Sequence, residues 1–195
     1  MDMQGETAER IMNAAHTLLV DRGYSAFSYA DIAEIVNIRK ASIHHHFPSK
    51  AGLVAAVLRR HRDRIADGME ALDRQILSPV LRIKNYLKYW EDCIEGQTIS
   101  FCIGALLGAE MPSLPEEVQA EVQLHFSLLT SWFEKTLKAG LKTHEVQLQG
   151  SVGVEAQCLI AVMHGAMLSA RAAKDTKVFR SLTHAVLHRI SSPKL

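Results

Sequence analysis

Neither sign of charge predominates in this chain of 195 residues: 22 lysines and arginines face 21 aspartates and glutamates, a net +1 with histidine neutral. The large basic excess common among nucleic-acid binders is missing. Splitting the chain changes little: residues 1–64 carry nine basic and seven acidic side chains, and the remainder is slightly acidic. Any claim of DNA binding must therefore rest on motif and geometry. Cysteine is scarce, and Cys93, Cys102 and Cys158 form no CxxC; an odd number argues against a disulfide framework. Uncharged runs are short. The longest, Gly96 to Ala109 and Ala156 to Ala170, fall below the roughly 20 apolar residues of a membrane-spanning helix. The opening MDMQGETAER holds acids and no apolar core, unlike a secretory signal. GxSxG, the Walker loop, GxGxxG and HExxH are all missing, so no enzyme is expected. At 48% apolar and 22% charged residues, what remains is a globular composition, and a cytoplasmic protein without membrane partners is expected.

What is present is helical periodicity. Ile11, Ala14, Ala15, Leu18 and Leu19 make one apolar stripe, with Gly23 as a stop. Ser28 and Asp31 have the spacing of a capping box, opening a short helix through Ile32, Ala33 and Ile35. A second short segment, Arg39 to His46, closes at Phe47-Pro48, because proline disfavours helical geometry in the residue before it. Ser49 caps a long fourth helix toward Leu72 and Ile76, and Ser78-Pro79 starts a fifth that fades at Gly96. Further helices are predicted over Ser100 to Glu110, Pro115 to about Ala139 with Gly140 as the stop, Gly150 to Ala172, and Thr176 to Ile190. No period-2 run flanked by turn residues appears. The expected fold is all-α, with about nine helices: an N-terminal three-helix domain (1–48) joined through the fourth helix to a larger helical domain (49–195).

Two short helices joined by a tight turn behind one amphipathic helix form a helix-turn-helix, here residues 28–47. Its second helix would enter the major groove N-terminus first, leaving Arg39, Lys40, Ser42, His44, His45 and His46 outward. Arg39 and Lys40 are placed to reach guanine O6/N7 or phosphate, and Lys50 opens the next helix, whose free amides suit a phosphate. The stretch YSAFSYADIAEIVNIRKASIHHHFPSKAGLV resembles the tetracycline-repressor (TetR/AcrR) family of bacterial transcriptional regulators. The matching pieces are Gly23-Tyr24, Ser28-x-x-Asp31-Ile32-Ala33, then Ser42-Ile43-His44-x-His46-Phe47-x-Ser49-Lys50 and Leu53. Ser28 and Tyr29 complete the DNA-contacting set drawn with that resemblance. Three positions depart from the common pattern. Asn37 stands for the usual turn glycine, Arg39 for a small residue, and His44 for a tyrosine.

The resemblance implies a homodimer on a palindromic double-stranded operator, released by a small apolar or electrophilic effector. The function expected is sequence-specific repression; a helical ligand-binding bundle or enzyme with a vestigial head is the alternative. Tyr86, Trp90, Phe101 and Cys102, with Met111, Phe126 and Trp132, are the expected effector pocket. Leu159, Met163, Gly165 and Met167, with Phe179, Leu182 and Val186, are the expected dimer interface, as a four-helix arrangement. Cys102, in the run Phe101-Cys102-Ile103-Gly104-Ala105-Leu106, is similar to a segment of relatives that sense electrophiles. No metal site or cofactor is expected. His44-His45-His46 point about 100° apart along a helix. The i, i+4 pairs His184/His188 and Glu121/His125 lack an evident third ligand. Arg59, Arg60, Arg62 and Arg64 read as a solvated face.

Overall fold

The stripe Ile11, Ala14, Ala15, Leu18 and Leu19 is buried along the first helix, α1 (Met3–Arg22), in a computed structural model that describes residues 3–96 and 101–192. Gly23 ends α1 with φ +75°, its amide donating to the Leu19 carbonyl at 2.9 Å. A side chain there is barred twice: by the left-handed backbone, and by the Glu110 carboxylate, 2.4 Å from where a Cβ would stand. The same carboxylate accepts the Tyr24 amide at 3.0 Å.

The capping box opens α2 (Tyr29–Val36) as predicted: the Ala30 amide donates to Ser28 Oγ, and the Ser28 amide donates to Asp31 at 2.8 Å. Asn37 takes the left-handed geometry (φ 57°, ψ 53°) that a turn glycine would supply. Arg39 proves to be the N-cap of α3 (Lys40–His46), and extended Phe47 precedes Pro48. Ser49 Oγ then accepts the Gly52 amide at the start of α4 (Lys50–Gln75). After α5 (Pro79–Glu95) come α6 (Ile103–Ala109), a 3-10 turn at Met111–Ser113, α7 (Glu116–Lys142), α8 (Val152–Ala173) and α9 (Lys177–Ile190). The described residues thus hold nine α-helices and no strand, only an isolated bridge between Val146 and Ser191. Ser100, the expected start of the sixth helix, lies outside them.

The chain divides into two compact units, though not at residue 48. The first runs to Arg64 and includes Cys102–His125; the second holds Ile65–Phe101 and the chain from Phe126 onward. The first unit thus keeps the start of α4, all of α6 and the start of α7. These supply the buried Leu53, Val54, Val57, Ile103, Leu107, Val118 and Val122. Each such side chain stabilises by about 1.5–3 kcal/mol when fully buried, so α1, α2 and α3 alone would hold a much smaller core.

The second unit is built around fully buried Trp90, Phe133 and Phe179. Ser78 caps α5 with Pro79 in its first turn, as predicted. Gly140 is not a stop. It lies inside α7 where a Cβ would meet Val146 Cγ2 at 2.4 Å, and the helix ends beyond it, before left-handed His144. By length and composition α8 could cross a membrane, with 22 residues and a mean hydropathy of 1.4. Glu155 stands immediately before its charge-free run, is buried and accepts Arg189 Nη2 at 2.8 Å, and the helix is part of a core packed on α9.

Candidate nucleic-acid interface

In the first unit α3 has one buried residue, Ile43, while Lys40, Ala41, His44 and His45 stand exposed. Offsets of one, four and five residues put these four on one face of the helix. Ser42 and His46 flank it, half-buried, and Arg39 is exposed at its entrance. Arg39 forms no side-chain cap, so the amides of the first α3 turn are left uncapped at the end of the helix where exposed Arg39 stands. The face carries two fixed cations and three imidazoles. Sequence reasoning missed Ala41, whose methyl group leaves room for close approach of a base edge.

The neighbouring side chains hold this face in place. Tyr29 corrects the expectation of a DNA contact. It is buried, donates its hydroxyl to the Phe47 carbonyl at 2.8 Å, and meets the His44 ring edge-on at 4.8 Å. Burial, and then the Tyr24 phenol beside it, push its ionisation up to about 12. Lys50 also turns inward. Its ammonium donates to the Phe27 carbonyl and lies 4.1 and 4.7 Å from the Phe27 and Tyr24 ring centres, and burial lowers its pKa. Ser28 is exposed, but its hydroxyl is engaged with Asp31 Oδ2 in the cap. Arg59 and Arg62 both pair with buried Glu121, and Arg60 pairs with Glu9. Three of the four clustered arginines are therefore ion-paired, two of them to a buried carboxylate and Arg60 to exposed Glu9.

The first unit also holds a cluster that the sequence did not disclose. Cys102 Sγ is 3.4 Å from His125 Nε2 and 3.7 Å from His61 Nε2, and all three residues are buried. Burial pushes the Cys102 thiol up to about 11, against a smaller opposite pull from the Gly104 and Ala105 amides. Burial, helped by Arg62, takes His125 down to about 4. A protonated thiol with 1% exposure is the opposite of the accessible, thiolate-prone cysteine that electrophile sensing needs.

The expected pocket residues are divided between the two units. Cys102 and Met111 belong to the first unit and the other five to the second. Tyr86 and Trp132 stack at 5.4 Å, half-buried Phe126 meets His164 edge-on at 5.4 Å, and Trp90 and Phe101 are buried. The Trp132 indole nitrogen is buried with no hydrogen-bond partner among the described residues. A cavity of about 750 Å³ opens elsewhere in this unit, lined by Val80, Lys84, His184, Leu187 and His188 among others, and by none of the expected residues. The dimer set needs a larger correction. Leu159, Met163, Met167, Phe179 and Val186 are core within the single chain, leaving Gly165 and Leu182 exposed.

A capped helix, a tight left-handed turn and a short exposed helix with cations at its entrance define a class: the helix-turn-helix DNA-binding proteins. The sequence pattern of the bacterial regulatory proteins of the tetR family matches residues 11–57. A TetR-family transcriptional regulator from Agrobacterium tumefaciens superposes with a TM-score of 0.95 at 41% identity, covering 97% of this chain and all of the other. The uncharacterized HTH-type transcriptional regulator YvkB of Bacillus subtilis is 32% identical over 133 residues, 66% of this chain and 69% of YvkB. The HTH-type transcriptional repressor NemR of Escherichia coli is 24% identical over 187 residues, 94% of this chain and 92% of its own. The chain belongs to the TetR family of bacterial transcriptional regulators.

Proposed function

We propose that the protein is a cytoplasmic repressor that holds an inverted-repeat operator as a homodimer and lets go when a small effector binds. The observation that carries this reading is the exposed α3 face of Lys40, Ala41, His44 and His45 with Arg39 at its entrance. Relatives of this chain include proteins named as repressors, among them NemR. In this reading the first unit grips DNA and the second dimerises and takes the effector.

For the dimer we assign a different face from the buried one expected. Val154, Ala161, Gly165 and Leu168 recur along α8 at offsets of seven, four and three, all exposed, beside exposed Leu182 on α9. A Cβ at Gly165 would meet nothing within 4 Å, so a second helix has room to approach closely there. Two copies of such a face form a self-complementary twofold contact. For the effector, the unsatisfied Trp132 indole N–H beside Tyr86 supports an aromatic or apolar ligand that carries a hydrogen-bond acceptor. Trp132 lies on α7, a helix that belongs to both units. The ligand acts only through its unequal affinity for the DNA-competent and released conformers.

Selection of bound fragments from genomic DNA tests the reading. The expected product is an inverted repeat whose half-sites lie one DNA turn apart, about 34–36 Å, with deletion raising expression of the adjoining gene. Binding without sequence preference that disappears at modest salt would overturn it.

A further inference from the structure

We propose that His61, Cys102 and His125 bind one thiophilic transition-metal ion, of which zinc(II) is the representative, through the Cys102 sulfur and Nε2 of each imidazole. Three secondary-structure elements converge to make the group: His61 from α4, Cys102 from the cap position of α6, and His125 from α7. Their ligand atoms all lie within 4.8 Å of one another. Zinc bound to sulfur at about 2.3 Å and to imidazole nitrogen at about 2.0–2.1 Å, with tetrahedral angles, sets sulfur and nitrogen about 3.6 Å apart. The two sulfur–nitrogen distances found, 3.4 and 3.7 Å, bracket that value.

Gly104 is an independent sign that the ring is deliberately seated. A Cβ at Gly104 would stand 2.4 Å from His125 Cδ2 and 2.8 Å from Nε2, so only glycine lets the α6 backbone come this close to the imidazole. One turn before His125, the buried Glu121 carboxylate takes Arg59 and Arg62 and offsets their charge. His16 lies behind His61, ring centre to ring centre 6.4 Å, with Arg60 and Arg64 near it. One thiolate with two neutral imidazoles suits zinc-class ions and not the oxygen-seeking magnesium or calcium. Three protein donors leave a fourth position for water. Binding breaks the Cys102 S–H bond and forms a metal–sulfur bond. The proton passes to buffer, and nothing is oxidised or reduced. Neutral imidazoles give up no proton on binding, and the ion's own charge favours the Cys102 thiolate.

The full-length protein, dialysed against a chelator, is titrated with zinc(II) against a coloured competitor and with cobalt(II) as spectroscopic substitute. The expected result is one ion per chain, a sulfur-to-cobalt charge-transfer band, and about one proton released per ion. Cys102→Ser is expected to lose the band and to weaken zinc binding by more than about 100-fold, since even outer-shell partners are worth about 10–100-fold. Cys93→Ser and Cys158→Ser are expected to keep both. X-ray absorption on the unaltered zinc-loaded protein needs no variant to fold, and should give one sulfur at about 2.3 Å with two imidazoles. A shell of nitrogen and oxygen alone would mean zinc caught by exposed histidines such as His184 and His188, and would overturn the proposal. So would the absence of stoichiometric binding, or an equal loss in Cys158→Ser. None of these outcomes depends on operator binding, so the metal site and the repressor reading stand or fall separately.

Discussion

Tyr29 and Lys50, both expected to touch DNA, are engaged within the first unit, Tyr29 on the Phe47 carbonyl and Lys50 on the Phe27 carbonyl and two rings. Tyr29→Phe removes the bond to the Phe47 carbonyl and should lower stability by about 1 kcal/mol, measured by urea unfolding. The pH dependence has a definite sign. The phenol's folded pKa of about 12 lies above its ordinary 10.0, so its stabilisation is fully present below pH 10. It fades as pH rises through 12, because the unfolded chain sheds the proton first. The alkaline decline should be smaller in Tyr29→Phe than in the wild-type protein, what remains including the share of Tyr24, whose phenol burial also pushes up. Lys50→Ala should lower the melting temperature, because it removes a hydrogen bond to Phe27 and contacts with two rings, together worth about 1–3 kcal/mol. An unchanged melting temperature with a shallower salt dependence of DNA binding would return Lys50 to the phosphate backbone.

Among the elements, those fixed by local chemistry were legible in the sequence. The Ser28/Asp31 box, the left-handed tolerance of Asn37, and Pro48 behind Phe47 each act within a few residues, and all stand where the spacing puts them. Asn37 gives a direct check. Asn37→Gly should leave stability and DNA affinity nearly unchanged, whereas Asn37→Val should cost about 1–2 kcal/mol in thermal or urea unfolding, because a branched residue resists φ 57°. What acts over distance was not legible. Gly140 reads as a helix stop but is a close approach to Val146. The period along α8 marks Leu159, Met163 and Met167 as a face that must be covered, without saying whether this chain or another covers it. His61, Cys102 and His125 are 41 and 23 residues apart, in no motif spacing, and only the fold brings them together.

For the whole molecule, the dimer face proposed on α8 sets whether one DNA-binding unit or two would meet the operator. Leu168→Arg places a charge on a side chain that is 60% exposed in the single chain, so the monomer should fold normally. Two such charges would face each other or apolar surface in a twofold contact. The expected outcome is a monomer by light scattering, with intact helicity and operator affinity reduced by several orders of magnitude. A dimer that persists would move the interface elsewhere.

The depth at which Cys102 lies also makes it a clock. A thiol with 1% of its surface exposed meets an alkylating reagent only when the first unit opens, whereas half-buried Cys158, beside the proposed α8 contact, is within a reagent's reach without such opening in the monomeric Leu168→Arg protein, where the two are to be compared. Peptide mass spectrometry over time should find Cys158 labelled first. Cys102 should follow at a rate that tracks local opening, slowing with any condition that tightens the reading head. Labelling of Cys102 as fast as Cys158 would mean that the head breathes freely. Otherwise the sulfur records, without any added probe, how often this half of the molecule comes apart.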